Sequence, residues 1–234
     1  MKILVASDSM SMPRIDLKYE YTWLFRILKK FPQFIFIDKS IRGSTSNRLI
    51  SEGGGFKNVP AGSDLLEFYN PDITIIQLGI VDCSPRYLSI HSNLFRLINN
   101  LPKFLQNIYY NYKKKYSKRT QNNAYVKLNE FYHNFDHFIN RAKQNNTQVI
   151  VVKITPVSNS FLEKSPFIND AINKYNRAFE KLLTKYDNVI LFDPFQDKFS
   201  EKYLIDELHY NSLGHEIFAN NLSRLLCSLN QLRP

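Results

Sequence analysis

Short apolar runs alternate with longer amphipathic segments along most of the chain. The short runs are rich in β-branched and aromatic residues and predict strands that are buried on both faces, since they lack polar alternation. In the longer segments apolar residues recur every three or four positions, as at Trp23, Leu24 and Ile27, which is typical of helices. The predicted strands are residues 3–6, 34–37, 73–78, 149–154 and 189–192, and the predicted helices are 19–31, 173–186 and 212–229.

This alternation predicts an α/β fold. Strands that alternate with helices are joined by right-handed crossovers, which produce a mostly parallel sheet covered on both faces. The 234 residues fit one domain spanning 1–234, arranged as a three-layer α/β/α sandwich. The region at about 87–146 has helical patterns but no good strand, and we interpret it as a helical insertion, not a second domain.

The charge of the chain favours anionic partners. Lys and Arg number 31 against 21 Asp and Glu, a formal net charge of +10. The stretch Lys113–Arg119 concentrates cations and tyrosines, and it is the candidate contact for an anionic polymer or a membrane surface. An exposed basic helix is the simpler interpretation of such a stretch, so no obligate nucleic-acid partner is expected.

The compartment is expected to be the cytoplasm. The apolar run near the N-terminus is too short for a signal-peptide core, and no stretch reaches the ~18 apolar residues of a membrane-spanning helix. Cys83 and Cys227 are too few for a disulfide framework or a cysteine-based zinc site. Neither a metal nor another cofactor is expected.

The residues that follow the predicted strands carry the candidate chemistry. In open parallel sheets, ligands bind beyond the carboxyl ends of the strands. Ser9 follows the first strand, and Asp206 and His209 follow the fifth after a short connection. On one helical turn, a carboxylate three residues before a histidine can fix the imidazole tautomer and leave the other ring nitrogen facing a serine. Ser9 is the natural partner for that nitrogen.

Four blocks in this order resemble the SGNH/GDSL hydrolase family. They are Ser7-Asp8-Ser9, Gly43, Gly79-Ile80-Val81-Asp82 and Asp206-x-x-His209. The resemblance implies a flavodoxin-like fold with Ser9 as nucleophile, His209 as general base and Asp206 as the residue that orients it. It also implies an oxyanion hole that includes the backbone N–H groups of Ser9 and Gly43.

The third block departs from the family pattern at Val81. The family has an asparagine there, whose side chain donates to the oxyanion, and losing one such donor typically costs about 10²–10³ in rate. Asn47 and Arg86 are the candidates to replace it. Asp82 and Arg86, at the end of the third strand, are also predicted to bind substrate.

Two functions follow from these observations. The first is a serine esterase or acyltransferase acting on a small-molecule or carbohydrate ester, with O-acyl groups of a bacterial surface-carbohydrate precursor as the expected substrate. The second is a non-catalytic protein of the same fold that binds an acidic polysaccharide, nucleic acid or a membrane surface. Val81 favours the second function, whereas the complete Ser9, Asp206 and His209 set favours the first.

Overall fold

A five-stranded parallel sheet forms the centre of the protein. The structure, a computed structural model, describes residues 1–51, 62–85, 93–116 and 124–231; Phe95 and residues 114–116 are described by their backbone alone. The strand order is β2-β1-β3-β4-β5, and every neighbouring pair is parallel. The strands are β1 Lys2–Ser7, β2 Ile35–Asp38, β3 Ile73–Gln77, β4 Gln148–Val152 and β5 Val189–Phe192.

Helices cover both faces of this sheet. The chain moves from β1 to β2 in one direction and from β3 to β5 in the other, so right-handed crossovers place the connecting helices on opposite faces. The predicted α/β/α sandwich is therefore confirmed. The helices are α1 Trp23–Lys30, α2 Arg48–Ser51, α3 Ile80–Cys83, α4 Asn93–Asn99, α5 Lys103–Tyr116, α6 Leu128–Gln144, α7 Asn159–Lys164, α8 Ile168–Lys185 and α9 Ser212–Gln231.

The helices divide into two packed layers. α1 contacts α9 on one face, where Trp23 stacks on Phe218 with ring centroids 4.6 Å apart. α6 contacts α8 on the other face, where Phe131 and Phe135 pack against Phe179. These side chains are fully or almost fully buried, so the two layers and the sheet share one core.

The structure narrows the region interpreted as an insertion. α6 lies within the predicted 87–146, but its apolar face is buried and it is the crossover helix between β3 and β4. α4 and α5 differ from it, because Ile98 is the one described side chain of α4 that is buried and no described side chain of α5 is buried. Interpretation as an insertion therefore applies only to the part of the chain before α6, where it stays a prediction.

The first predicted helix also begins later than expected. A 3₁₀ turn occupies Tyr19–Tyr21, and α1 starts at Trp23 because the Thr22 side chain accepts a hydrogen bond from the N–H of Phe25. In the described part of the chain, no helix has the length and apolar character needed to cross a membrane.

Candidate active site

The site lies at the point in the sheet where the chain connections change direction, between β1 and β3. β1 is flanked by β2 on one side and β3 on the other, so the loops after β1 and β3 open a crevice at their carboxyl ends. Ser9 begins a 3₁₀ turn, Ser9–Ser11, two residues after β1 ends. The carboxylate of Asp8 caps this turn by accepting a hydrogen bond of 2.9 Å from the N–H of Met10. The nucleophile candidate is thus held on a short, capped turn.

Ser9, His209 and Asp206 form a continuous hydrogen-bonded chain. Ser9 Oγ lies 2.9 Å from His209 Nε2, and His209 Nδ1 lies 2.8 Å from Asp206 Oδ2 and 2.9 Å from Oδ1. With Nδ1–H donating to the carboxylate, Nε2 is the acceptor for the Ser9 hydroxyl. The structure therefore brings together the three residues that the sequence pattern had joined.

The Asp206–His209 segment is a loop, not the helical turn that the spacing suggested. Asp206 Oδ1 accepts hydrogen bonds from the backbone N–H groups of Leu208 (3.0 Å) and His209 (2.8 Å), which close the loop on the carboxylate itself. The N–H of Ile205 donates to the carbonyl of His209 at 2.8 Å. α9 begins only at Ser212. The aspartate both shapes the loop and orients the imidazole.

Burial and neighbouring charges set the protonation of this pair. Burial raises the pKa of Asp206, but the N–H donors of His209 and Leu208 and the charge of His209 outweigh it, so that pKa lies below its ordinary value. Burial is the largest influence that lowers the pKa of His209. Asp206 raises that pKa, while the charges of Arg14 and Arg42 lower it further, and the net shift is downward. A neutral imidazole beside an ionised carboxylate is the state in which His209 can accept a proton.

One arginine contacts the Asp206 carboxylate, and a second lines the same cavity. Arg14 Nη2 forms an ion pair with Asp206 Oδ2 at 3.1 Å, and about a third of each side chain is exposed. Arg42 Nη2 donates to the carbonyl of Pro13 at 2.6 Å. A cavity of about 550 Å³ opens here, lined by Pro13, Arg14, Ile15, Asp16, Arg42, Ile205 and Asp206.

The loop after β2 lies against the loop after β1. Ser11 Oγ donates to Ser40 Oγ at 2.9 Å, and the N–H of Ile41 donates to the carbonyl of Ser7 at 3.0 Å. Gly43 follows with φ +69°, in the left-handed region that glycine adopts without strain. Within the described ranges, the backbone N–H groups of Ser9 and Gly43 donate to no other residue. Both are therefore available to an external oxygen.

A buried polar network fixes the start of α2, and it includes a residue that sequence reasoning missed. Asp82 Oδ1 accepts hydrogen bonds from the N–H (2.8 Å) and hydroxyl (2.6 Å) of Ser46. Asn134 Nδ2, on α6, donates to Ser46 Oγ at 3.0 Å and to Asn47 Oδ1 at 2.7 Å. Asn134 is fully buried on the apolar face of α6. A polar residue at a position where the helical spacing predicts an apolar one was the sequence feature that could have identified it.

The network changes the roles expected after β3. Asp82 is fully buried, and burial raises its pKa to about 6, against the opposing hydrogen bonds from Ser46. Its carboxylate positions the α2 loop, and this burial argues against the expected direct contact with substrate. Val81 is half-buried against the core. Arg86, the other expected substrate-binding residue and oxyanion candidate, lies outside the described residues.

The three other histidines that the structure describes make no hydrogen bond to the triad. His215 is buried at the start of α9, where Nδ1 accepts a hydrogen bond from the N–H of Trp23 at 3.1 Å. Burial, with smaller effects of Arg26 and His209, lowers the pKa of His215 to about 3. His133 and His137 are exposed on α6, and the part of the chain that the structure describes holds no group of three or more His, Cys, Asp or Glu suited to a metal.

Comparisons with solved structures agree with this fold. A lipase/acylhydrolase from Enterococcus faecalis is 14% identical, with 96% of this chain and 94% of that one covered and a TM-score of 0.61. The psychrotrophic esterase EstA from Pseudoalteromonas sp. is 17% identical, with 98% of each chain covered and a TM-score of 0.58. The acetylxylan esterase Axe2 from Geobacillus stearothermophilus, solved as a catalytic mutant, is 14% identical, with 95% of this chain and 92% of that one covered and a TM-score of 0.60.

The sequence itself matches a family model, although no curated protein matches it. The model of the GDSL-like Lipase/Acylhydrolase family aligns with residues 18–217, so the assignment of Ser9 depends on the geometry above and not on that alignment. The resemblance noted from the four blocks is confirmed. Because the match takes in Asp206, His209 and most of the chain, this protein belongs to the GDSL-like lipase/acylhydrolase family of SGNH hydrolases.

Proposed function

We propose that the protein is a serine esterase in which Ser9, His209 and Asp206 act as a catalytic triad. The observation that carries this proposal is the unbroken chain from Ser9 Oγ through the His209 imidazole to the Asp206 carboxylate, with contacts of 2.9 and 2.8 Å. Family membership independently favours ester chemistry.

The reaction proceeds in two acyl-transfer steps. Ser9 Oγ attacks the acyl carbonyl while His209 Nε2 takes the hydroxyl proton, and Asp206 stabilises the imidazolium that forms. The tetrahedral intermediate collapses, the ester C–O bond breaks, and His209 returns the proton to the leaving alcohol. Water then attacks the acyl-serine with His209 again as the base, which releases the acid and regenerates Ser9. A sugar hydroxyl in place of this water would make the same chemistry an acyl transfer.

The oxyanion would be held by three donors. The N–H groups of Ser9 and Gly43 are two of them, and both are unused within the described residues. The third is the Asn47 amide. Its oxygen accepts from Asn134, which leaves Nδ2 without an acceptor in the described part of the chain. Asn47 would thus supply the donor that Val81 lacks.

The substrate class we propose is an O-acylated carbohydrate, such as a bacterial surface-polysaccharide precursor in the cytoplasm. Support comes from one structural neighbour, which is an acetylxylan esterase, and from the cavity of about 550 Å³ beside Asp206, which is large enough for a sugar ring and its substituents. Acetate release from acetylated oligosaccharides, compared with turnover of p-nitrophenyl esters of increasing chain length, tests this. Faster turnover of the long-chain esters would contradict it.

Labelling with a fluorophosphonate probe tests the triad. The parent should be labelled, Ser9→Ala should not, and His209→Ala should be labelled far more slowly because the serine loses its base. Turnover of p-nitrophenyl acetate should fall at least ~10³-fold in either variant, with no additive loss in the double variant. Ser11→Ala is the matched control, since Ser11 lies on the same turn and its hydroxyl donates to Ser40. Labelling that persists in Ser9→Ala would mean that another residue is the nucleophile, whereas a parent that is not labelled would favour the non-catalytic alternative.

A further inference from the structure

The helices α4 and α5 carry large apolar side chains that face solvent. We call the described part of residues 93–116 the α4–α5 surface. Leu97 is 62% exposed on α4, and Phe104, Ile108 and Tyr112 are 63%, 62% and 59% exposed on α5. The last three are spaced four residues apart and so lie along one side of the helix. Leu94 on α4 and Leu105 on α5 are also exposed, by 47% and 37%.

Two side chains of this stripe, Phe104 and Ile108, are each more than 60% exposed to solvent. α5 is 14 residues long, and none of its described side chains is buried. Helices of that length are marginal in water unless an amphipathic face packs against something. Its attachment to α4 is polar, through Gln106 Nε2 to the carbonyls of Asn99 and Leu101. The stripe is therefore suited to contact a surface outside the protein.

The charge of the segment is one-sided. Between Asp82 and Glu130 the sequence contains nine Lys or Arg and no Asp or Glu. Lys103 and Lys113 belong to α5 itself and Arg96 to α4. Nearly the whole net charge of +10 thus arises in this one segment.

We propose that the α4–α5 surface docks the protein on an anionic membrane. A helix with an exposed apolar side and a cationic flank is suited to lie in the headgroup region of a bilayer, where the apolar side chains leave water and the cations meet acidic lipids. A second copy of this chain fits less well, because two such segments repel each other. An acidic polymer would neutralise the cations but would leave Phe104 and Ile108 in water.

The base of the segment that carries this surface lies near the catalytic edge of the sheet. The segment begins after Asp82 in α3 and ends close to Val126, whose N–H donates to the carbonyl of Asp82 at 3.2 Å. Pro85 and Ala124 form an antiparallel bridge at its base. Asp82 in turn holds Ser46 in the loop next to the site. The inference concerns binding and does not depend on the esterase proposal.

Sedimentation with lipid vesicles tests the inference. The parent should bind phosphatidylcholine vesicles that contain phosphatidylglycerol and bind pure phosphatidylcholine weakly. Phe104→Ser with Ile108→Ser should weaken that binding about tenfold or more, because each side chain contributes apolar burial. Phe68→Ser with Phe167→Ser is the matched control, since both phenylalanines are about half exposed elsewhere on the protein.

A charge series completes the design. Lys103→Gln with Lys113→Gln should weaken binding and reduce its sensitivity to salt, whereas Lys174→Gln with Lys181→Gln on α8 should not.

The fold of each variant is checked by circular dichroism, with Leu97→Ser as the substitute if the α5 double variant unfolds. Undiminished binding of the α5 variant, or no binding by the parent, overturns the proposal. A parent dimer that the same variant dissociates would overturn it in favour of self-association. Turnover of soluble p-nitrophenyl acetate separates these results from a failure of the triad.

Discussion

At the level of single residues, the Asp206 carboxylate contacts a guanidinium and an imidazole at once. One oxygen contacts both Arg14 Nη2 and His209 Nδ1, while the other accepts two backbone N–H groups and also lies within reach of Nδ1. Arg14 is close enough to His209 to lower the pKa of the imidazole. It therefore acts as a positioning residue that helps to keep His209 neutral.

Replacing Arg14 should shift the pH dependence of turnover. Arg14→Met removes a charge that lowers the pKa of His209, so that pKa rises and a higher pH is needed to obtain the neutral base. The acidic limb of kcat/KM for p-nitrophenyl acetate should move up by a few tenths of a pH unit, because partly exposed ion pairs are worth about 0.2–1 kcal/mol. Arg14→Lys should restore much of the parent profile. An unchanged limb in Arg14→Met would mean that the arginine has no electrostatic influence on the base.

Asp8 makes stability depend on pH. It is fully buried, and Oδ2 has no hydrogen-bond partner among the described residues, so burial, above all, raises its pKa to about 7. In the unfolded chain the pKa is about 3.9. The folded state therefore binds the proton more tightly, and this contribution to stability is lost as pH rises from about 4 to 7.

Asp8→Asn should remove this dependence while keeping the cap on Met10 through Oδ1. Between pH 5 and pH 8, the free energy of unfolding of the variant should rise relative to the parent by about 2–3 kcal/mol, at about 1.4 kcal/mol per pH unit up to the folded pKa. Urea denaturation at the two pH values measures the difference. The opposite effect of His215, whose pKa is lowered, is common to both proteins and cancels. A difference that does not change with pH would contradict the raised pKa.

At the level of elements, the oxyanion donor depends on how α2 is held by α6. Asn47 immediately precedes α2, and its amide is oriented by Asn134 of α6, which also holds Ser46. If Asn47 has replaced the missing asparagine, Asn47→Ala should lower kcat for p-nitrophenyl acetate about 10²–10³-fold with little change in stability.

If Asn47 is the third oxyanion donor, the effect of placing the family's asparagine at position 81 can be predicted. Val81→Asn in the parent should be neutral or harmful, because a second amide competes for one oxygen and is left poorly paired. In the Asn47→Ala background it should recover part of the lost kcat. A gain in the parent itself would instead mean that the natural site lacks a third donor.

The elements also show which features could be predicted from sequence. The strands were predicted almost to their observed bounds, because parallel strands in the interior of a covered sheet are continuous apolar runs. The burial predicted for the second strand was wrong, because β2 is an edge strand in which Ile35 is 62% exposed. The start of α1 was missed because apolar spacing continues upstream to Tyr19, whereas the Thr22 cap makes the helix begin only at Trp23. The Asp206 loop was predicted as a helical turn, since a three-residue spacing does not reveal that the carboxylate binds its own backbone. Asn134 could not be assigned from sequence, because its partners lie 87 and 88 residues away.

At the level of the whole molecule, charge and catalysis occupy different parts of the chain. Outside the acid-free segment between Asp82 and Glu130, 22 Lys and Arg face 21 Asp and Glu, so that part of the chain is nearly neutral. The neutral part contains the sheet, both helical layers, and the triad. The cationic segment contributes α4 and α5, most of whose described side chains are exposed. The proposed membrane-docking surface and the triad therefore lie in different parts of the chain.

Removing the cationic segment should therefore leave the fold and the chemistry in place. Pro85 and Ala124 are bridged, so a short Gly-Ser linker can replace residues 86–123 without moving the ends. The free energy of unfolding should fall by no more than about 2–5 kcal/mol, because Ile98 is the one described side chain of the deleted residues that is buried, and a shorter loop closes at a lower entropic cost. Phe135→Ala in α6 should cost about 3–5 kcal/mol, because that ring is in the core.

The same linker variant tests the remaining oxyanion candidate. Residue 86 is removed with the segment, whereas Asp82, Ser46 and Asn134 keep their hydrogen bonds. Turnover of p-nitrophenyl acetate close to that of the parent would show that Arg86 is not needed and would leave Asn47 as the third donor. Lost turnover in a variant that still unfolds like the parent would assign that role to the deleted segment. A large loss of stability would instead show that α4 and α5 belong to the core, and the membrane-docking variants would then need to be judged against that packing.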